Sequence, residues 1–136
     1  MANPQKRKGD TAEREAAELI TALTGIPTRR ALGAGRQDDI GDIHGVPGHA
    51  IQIAAWKDVS AAARLKPPQA EQQRIHANAP HASTWVRFRG GTWRVILTPE
   101  QWAVLAGLSA HPSPHPHEFA HRERIVQGLD QELPAA

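Results

Sequence analysis

Apolar residues recur at helical spacing near the start of the chain. Between residues 10 and 25, alanine, leucine and isoleucine return every three or four positions, which predicts an amphipathic helix. Asp10 begins this helix, with Glu13 three residues later in the arrangement of a capping box, and Gly25 ends it. Residues 1–9 are expected to form a flexible basic arm that precedes the helix.

The next part of the chain alternates between apolar and polar residues, as β-strands do. The segment IGDIHGVPGHAIQIAAW, residues 40–56, predicts two short strands joined by a turn at Gly45–Gly48. Along the second strand, alternation places Gln52 and Ala54 on one face and the neighbouring isoleucines on the other. A further short strand is expected near Thr28–Ala31, ahead of a polar, glycine-rich loop.

The second half of the chain predicts two more helices and a closing hairpin. The pair Pro67-Pro68 is suited to begin a helix that runs to about Asn78. The strands STWVRFR and TWRVIL follow, with Gly90-Gly91 between them as a hairpin signal, and Pro99 begins a short helix. This order of elements predicts an α/β fold with one mixed β-sheet flanked by helices.

Length and composition point to one compact domain. The 136 residues are enough for one core, assigned to residues 10–109, with a Pro/His-rich linker and a weak terminal helix in residues 110–136. The absence of cysteine excludes disulfides and thiolate metal sites. No apolar run is long enough to span a bilayer, and the N-terminus lacks the apolar core of a secretory signal. We therefore expect a cytoplasmic protein without a membrane partner.

Charge is spread unevenly along the chain. The formal net charge is +2, but residues 111–136 hold four acidic and two basic side chains, which leaves 14 basic and 10 acidic ones in the rest. Basic residues cluster at Lys6–Lys8 and at Arg29-Arg30. Clusters of this kind suit contacts with phosphate, so nucleic acid is a candidate partner.

Three oxygen-bearing side chains form a candidate catalytic site. Glu13 lies at the margin of the apolar stripe of its helix, and Asp42 is expected opposite or diagonal to Gln52 in the hairpin. Carboxylate and carbonyl oxygens bind Mg²⁺ or Mn²⁺, and such an ion lowers the pKa of a bound water. Each residue also has a simpler structural interpretation, as a capping partner, a turn residue and a satisfied polar strand residue.

Two segments carry a resemblance to a known family. KGDTAERE, which is Lys8–Glu15, and GDIHGVPGHAIQIAA, which is residues 41–55, resemble archaeal-type Holliday junction resolvases and their phage-encoded relatives. These enzymes belong to the D…(D/E)xK nuclease superfamily, and the similarity covers roughly residues 5–80. It implies a restriction-endonuclease-like fold and divalent-metal-dependent cleavage of branched DNA, such as four-way junctions. It also implies a homodimer, whose two active sites make paired incisions.

The same resemblance assigns the site residues. Glu13 would be the helix acid and Asp42 the main metal ligand, while Gln52 replaces the second metal-binding acid. Ala54 stands where the family has its catalytic lysine, and a methyl group cannot contact a phosphate or polarise water. DNA contacts are expected from the basic residues Lys6, Arg7, Lys8, Arg29, Arg30, Arg36 and Lys57.

Ala54 leaves three accounts open. A strand bulge near Ala55 would bring Lys57 to the active face. Alternatively, the protein is a natural pseudoenzyme that binds DNA without cutting it, or the chain is an engineered Lys→Ala variant. We favour the engineered variant, and so expect an inactivated nuclease, because the rest of the pattern is retained without a replacement lysine. Rival functions are a flap or nicking nuclease of the same superfamily and a partner-binding module without DNA affinity.

Overall fold

The computed structural model describes residues 4–31 and 41–110. Within these ranges the chain forms, in order, α1 (Pro4–Thr24), β1 (Arg29–Arg30), β2 (Ile43–His44), β3 (His49–Ala54), α2 (Val59–His76), β4 (His81–Arg87), β5 (Trp93–Ile96) and α3 (Pro99–Leu105). The predicted linker and terminal helix lie outside the described residues from residue 111 onward. No helix within the described ranges is long and apolar enough to cross a lipid bilayer.

The five strands form one mixed sheet in the order β1-β2-β3-β4-β5. Neighbouring strands are antiparallel except β3 and β4, which are parallel and are joined by α2 as the crossover helix. The predicted α/β class with a mixed sheet is thereby confirmed. Both predicted hairpins are also present, because β2 pairs with β3 and β4 pairs with β5 in antiparallel register.

Helices cover both faces of the sheet. Because strand residues alternate in direction, Ile51 and Ile53 pack in one apolar cluster with Ala16 of α1. Ala54 packs with Ala62 of α2 in a second cluster on the other face. The helix α3 lies on the α2 side, where one of its side chains donates a hydrogen bond to a carbonyl of α2. Among the described elements, the result is a three-layer arrangement with α1 on one side of the sheet and α2 and α3 on the other.

The helix α1 starts earlier than the sequence pattern predicted. It begins at Pro4 and not at Asp10, so the expected flexible arm is wrong for residues 4–9. Proline suits the first position of a helix, and the glutamine, lysine and arginine that follow are good helix formers. Asp10 lies inside the helix and forms an ion pair with Arg30, at 2.9 Å. The apolar spacing therefore marked where α1 contacts the sheet, not where it begins.

The predicted start of α2 is also wrong. The helix begins at Val59, after the N-cap residue Asp58, whose side chain accepts a hydrogen bond from the Ala61 N–H at 2.9 Å. Pro67 and Pro68 therefore lie inside the helix. Proline has no N–H to donate to the preceding turn, but packing of the α2 face against the sheet outweighs this loss.

Candidate functional site

Asp42 and Gln52 lie opposite each other where β2 meets β3. Ile43 pairs with Ile51, so the antiparallel register places Asp42 beside Gln52. The Asp42 N–H donates to the Ile51 carbonyl at 2.8 Å, and its carboxylate Oδ2 accepts from the Ile53 N–H at 2.9 Å. Asp42 thus binds both neighbours of Gln52, and the predicted adjacency of the two residues is present.

Gln52 carries a buried acceptor. The side chain is only 5% exposed on the α2 side of the sheet, and its Nε2 donates to Gln69 Oε1 at 3.3 Å. Its Oε1 has no hydrogen-bond partner among the described residues, and neither does Oγ1 of Thr84, the register neighbour of Gln52 on β4. Buried polar atoms are normally satisfied, so these two oxygens form an unsatisfied polar pair beneath α2.

Lys66 of α2 contacts Gln69, the residue to which the Gln52 side chain donates. The Lys66 Nζ donates to Gln69 Oε1 at 3.2 Å and lies 5.1 Å from the centre of the Trp56 ring. Gln69 is exposed, whereas Gln52 is buried, so the Gln52–Gln69 contact links a buried side chain to the surface. We did not predict Lys66 from the sequence, because α2 was expected to start at Pro67. The N-cap signal of Asp58 would have placed Lys66 within the helix.

Glu13 lies on the other side of the sheet from Gln52. It belongs to α1, which packs on the face that carries Ile51 and Ile53. Its carboxylate is 3.8 Å from the Arg30 guanidinium, which also pairs with Asp10. Across residues 4–31 and 41–110, no three His, Cys, Asp or Glu side chains come close enough to hold a metal ion. The structure therefore brings together Asp42 and Gln52, but it does not bring Glu13 into the predicted cluster of three oxygen-bearing side chains.

Ala54 is fully packed. It is 1% exposed and shares a cluster with Ala62 of α2 and Val86 of β4. The strand β3 pairs with β4 in continuous register through Ala54 and ends there. Lys57 consequently lies beyond the strand, in an exposed segment. The bulge that would return Lys57 to the active face is not present in this register.

The basic residues expected to contact DNA have different surroundings. The guanidinium of Arg30 is engaged by the acidic residues of α1. Arg29 is exposed, and with Arg14 of α1 it lines an open groove of about 530 Å³ between α1 and β1. Lys8 and Lys57 are exposed, Lys6 and Arg7 belong to the first turns of α1, and Arg36 lies outside the described residues.

Comparisons of the chain with protein-family models, with curated proteins and with solved structures found no match. A functional assignment therefore rests on the residues of the site.

Proposed function

We propose that this protein is a divalent-metal-dependent DNA endonuclease of the Holliday junction resolvase type, with a restriction-endonuclease-like fold. The observation that carries the proposal is that the strand register places Asp42 beside a buried Gln52 whose Oε1 has no partner among the described residues. The proposal depends on these two residues more than on Glu13, because α1 covers the opposite face of the sheet.

The oxygen atoms at this position fit Mg²⁺ or Mn²⁺. A hard divalent cation accepts carboxylate and amide oxygens and retains several waters, so one Asp and one Gln are a sufficient protein contribution. Asp42 and Gln52 would hold the ion, which when bound lowers the pKa of a water and offsets charge on the phosphate. A partner-less buried acceptor is the kind of atom that a cation satisfies.

Neighbouring side chains fix the direction of the Gln52 amide. The Lys66 ammonium can only donate, so the Gln69 atom that faces it must be the oxygen. The same oxygen contacts Gln52, and therefore the Gln52 amide must present its Nε2 there. As a consequence, Oε1 is the atom left for a ligand. This orientation follows from hydrogen-bond chemistry rather than from the placement of one amide alone.

DNA would bind through exposed basic side chains of the domain. Arg14 and Arg29 line the α1–β1 groove, and both are exposed, as are Lys8 and Lys57. Contacts with phosphate supply affinity and position but no sequence choice, which suits an enzyme that recognises the shape of branched DNA. Such binding weakens steeply as salt is raised.

A homodimer is part of the proposal, since a symmetric junction needs two incisions. The strand β5 is an edge of the sheet. Three apolar side chains of β5 and α3, namely Val95, Trp102 and Leu105, are 48%, 55% and 46% exposed. We assign the dimer contact to this surface, formed by β5 and α3.

Cleavage assays test the proposal directly. The chain with Ala54, referred to below as wild type, and the Ala54→Lys variant would each be incubated with Mg²⁺ and a four-way junction, a flap, a nicked duplex and a linear duplex. The proposal expects at least one of the two proteins to cut the junction, and Asp42→Asn to abolish that cutting. Cutting of flaps or nicked duplex in preference to junctions would instead indicate another nuclease of the superfamily.

The second candidate is an inert DNA-binding protein, which the close packing of Ala54 favours. It expects tight, salt-sensitive junction binding with no cutting by either protein. A chain with no salt-sensitive DNA affinity at all would belong to neither class and would indicate a partner-binding module.

A further inference from the structure

The position of Lys66 follows from how α2 runs over β3. The helix returns between two parallel strands, so it runs opposite to β3. Ala62 contacts the cluster of Ala54, and four residues of helix advance about 6 Å, to Lys66. Two residues of strand span about 7 Å, which leads from Ala54 back to Gln52. Lys66 therefore lies on the α2 face above the stretch between Gln52 and Ala54.

We propose that Lys66 supplies, from α2, the catalytic cation that position 54 of the strand lacks. This inference rests on the proposed nuclease function. Its ammonium donates to Gln69 Oε1 at 3.2 Å, and that oxygen contacts the Gln52 amide at 3.3 Å. The ammonium is thus separated from the candidate metal ligand Gln52 by a single side-chain oxygen.

Two contacts hold the Lys66 ammonium in place. Besides Gln69, the ammonium faces the Trp56 ring at 5.1 Å, a distance at which an aromatic face attracts a cation. Trp56 lies two residues beyond the end of β3 and is 38% exposed. Lys66 itself is half-buried, whereas Lys57 is exposed beyond the strand. Of these two lysines, Lys66 is the one whose ammonium contacts the residue that hydrogen-bonds to Gln52.

The chemistry assigned to Lys66 is charge stabilisation. In hydrolysis of the phosphodiester, the oxygen of a water forms a bond to phosphorus, and the bond from phosphorus to a bridging sugar oxygen breaks. The electron pair of that bond stays on the sugar oxygen, which takes up a proton, while the attacking water loses one proton to solvent. The Lys66 ammonium contacts a non-bridging phosphate oxygen and stabilises the negative charge that builds there. It keeps its own proton throughout.

Substitution of Lys66 tests this role. Single-turnover cleavage of a four-way junction with Mg²⁺ would be compared for wild type, Lys66→Ala and Lys66→Arg. We expect Lys66→Ala to slow cleavage by roughly 100-fold or more, as loss of one charge-stabilising donor does, and Lys66→Arg to recover part of the rate. The matched control is Arg64→Ala, which removes an exposed cation of the same helix and leaves the rate within about twofold of wild type.

Two further measurements separate catalysis from folding and binding. Junction affinity measured with Ca²⁺ in place of Mg²⁺ should fall less than about tenfold in Lys66→Ala, because one of several phosphate contacts is lost. The melting temperature should change little. In addition, the double variant Lys66→Ala/Ala54→Lys returns an ammonium to the α2 face of the strand near Gln52, so it should cut faster than Lys66→Ala alone.

The outcomes distinguish this inference from the proposed function. If wild type and Lys66→Ala cut at the same rate, Lys66 has no catalytic role while the nuclease assignment stands. If wild type is inert and Ala54→Lys cuts, the inference is overturned, and the chain is inactive because position 54 lacks the catalytic lysine. If no variant cuts any branched substrate, the nuclease proposal fails and Lys66 falls with it.

Discussion

Replacing Asp42 by asparagine and by alanine separates its structural role from its proposed role as a metal ligand. Its main chain is held on both sides, because the Ala31 N–H donates to the Asp42 carbonyl and the Asp42 N–H donates to the Ile51 carbonyl, both at 2.8 Å. Neither bond involves the side chain. The side chain accepts from the Ile53 N–H at 2.9 Å. Asparagine keeps an acceptor there but loses the charge, whereas alanine loses both.

The expected stabilities follow from that one hydrogen bond. A bond to a charged acceptor contributes about 1.5–3 kcal/mol and a neutral one about 0.5–1.5 kcal/mol, so Asp42→Asn should lower the free energy of unfolding by about 1 kcal/mol. Asp42→Ala leaves the N–H of Ile53, an 8% exposed residue, without its acceptor. The loss should be about 2–3 kcal/mol. For a chain of this length each kcal/mol corresponds to roughly 3–5 °C in melting temperature.

The response to Mg²⁺ should separate wild type from both Asp42 variants. A cation present at about one hundred times its Kd stabilises the native state by about 2.7 kcal/mol, or roughly 10 °C. Melting curves with and without Mg²⁺ should therefore show a rise for wild type and no rise for either variant, although Asp42→Asn is nearly as stable as wild type. If Asp42→Asn keeps the full Mg²⁺-induced rise, the carboxylate is not a metal ligand. If wild type shows no rise, the proposed ion site itself is refuted.

Two other predictions concern the scaffold. Gly45 has φ of 115°, and a Cβ there would come 2.5 Å from the Pro27 carbonyl oxygen, so Gly45→Ala should lower the free energy of unfolding by more than about 2 kcal/mol. The control Gly90→Ala, at positive φ but in open space, should lower it by only about 1 kcal/mol. Equal losses of the two variants in urea unfolding would contradict the clash at Gly45. Glu15 accepts a hydrogen bond from the Trp93 indole at 2.9 Å, so Glu15→Ala should lower the free energy of unfolding by about 1–2 kcal/mol and Glu15→Gln by less. Near-ultraviolet circular dichroism would detect release of the indole, and an unchanged spectrum in Glu15→Ala would refute the contact.

The hairpin and the sheet were predictable because their signals are local. Alternation along residues 49–54 assigns Gln52 and Ala54 to one face whatever the rest of the chain does. Glycines at the turn then bring Asp42 to the strand, and the observed pairing of Ile43 with Ile51 follows. The adjacency of Asp42 and Gln52 was accordingly within reach of the sequence. This adjacency depends only on a short turn and on the alternation of side chains between the two faces of a strand.

The helix ends and the helix-to-sheet contacts were not predictable in the same way. Pro67-Pro68 looks like a helix start, but the proline pair is tolerated inside α2 because Ala62 and Ala70 bury the sheet-facing side completely. That decision is made by tertiary packing, which overrides local preference. The same uncertainty hid Lys66, whose direction depends on where α2 begins. It also hid the placement of Glu13 on the opposite side of the sheet from Gln52.

The small side chains at positions 54 and 62 pack against each other and leave little room for a lysine at position 54. A lysine at position 54 would have to extend past Ala62, which is 0% exposed and packed in the same cluster, and its stem would overpack that contact. Its ammonium would then emerge beneath the same face of α2 that carries Lys66. A strand lysine and Lys66 would thus place two positive charges in the same region above Gln52. For that reason the loss of one and the presence of the other are expected to be coupled, and the Lys66→Ala/Ala54→Lys double variant should be more stable than the sum of the two single effects predicts.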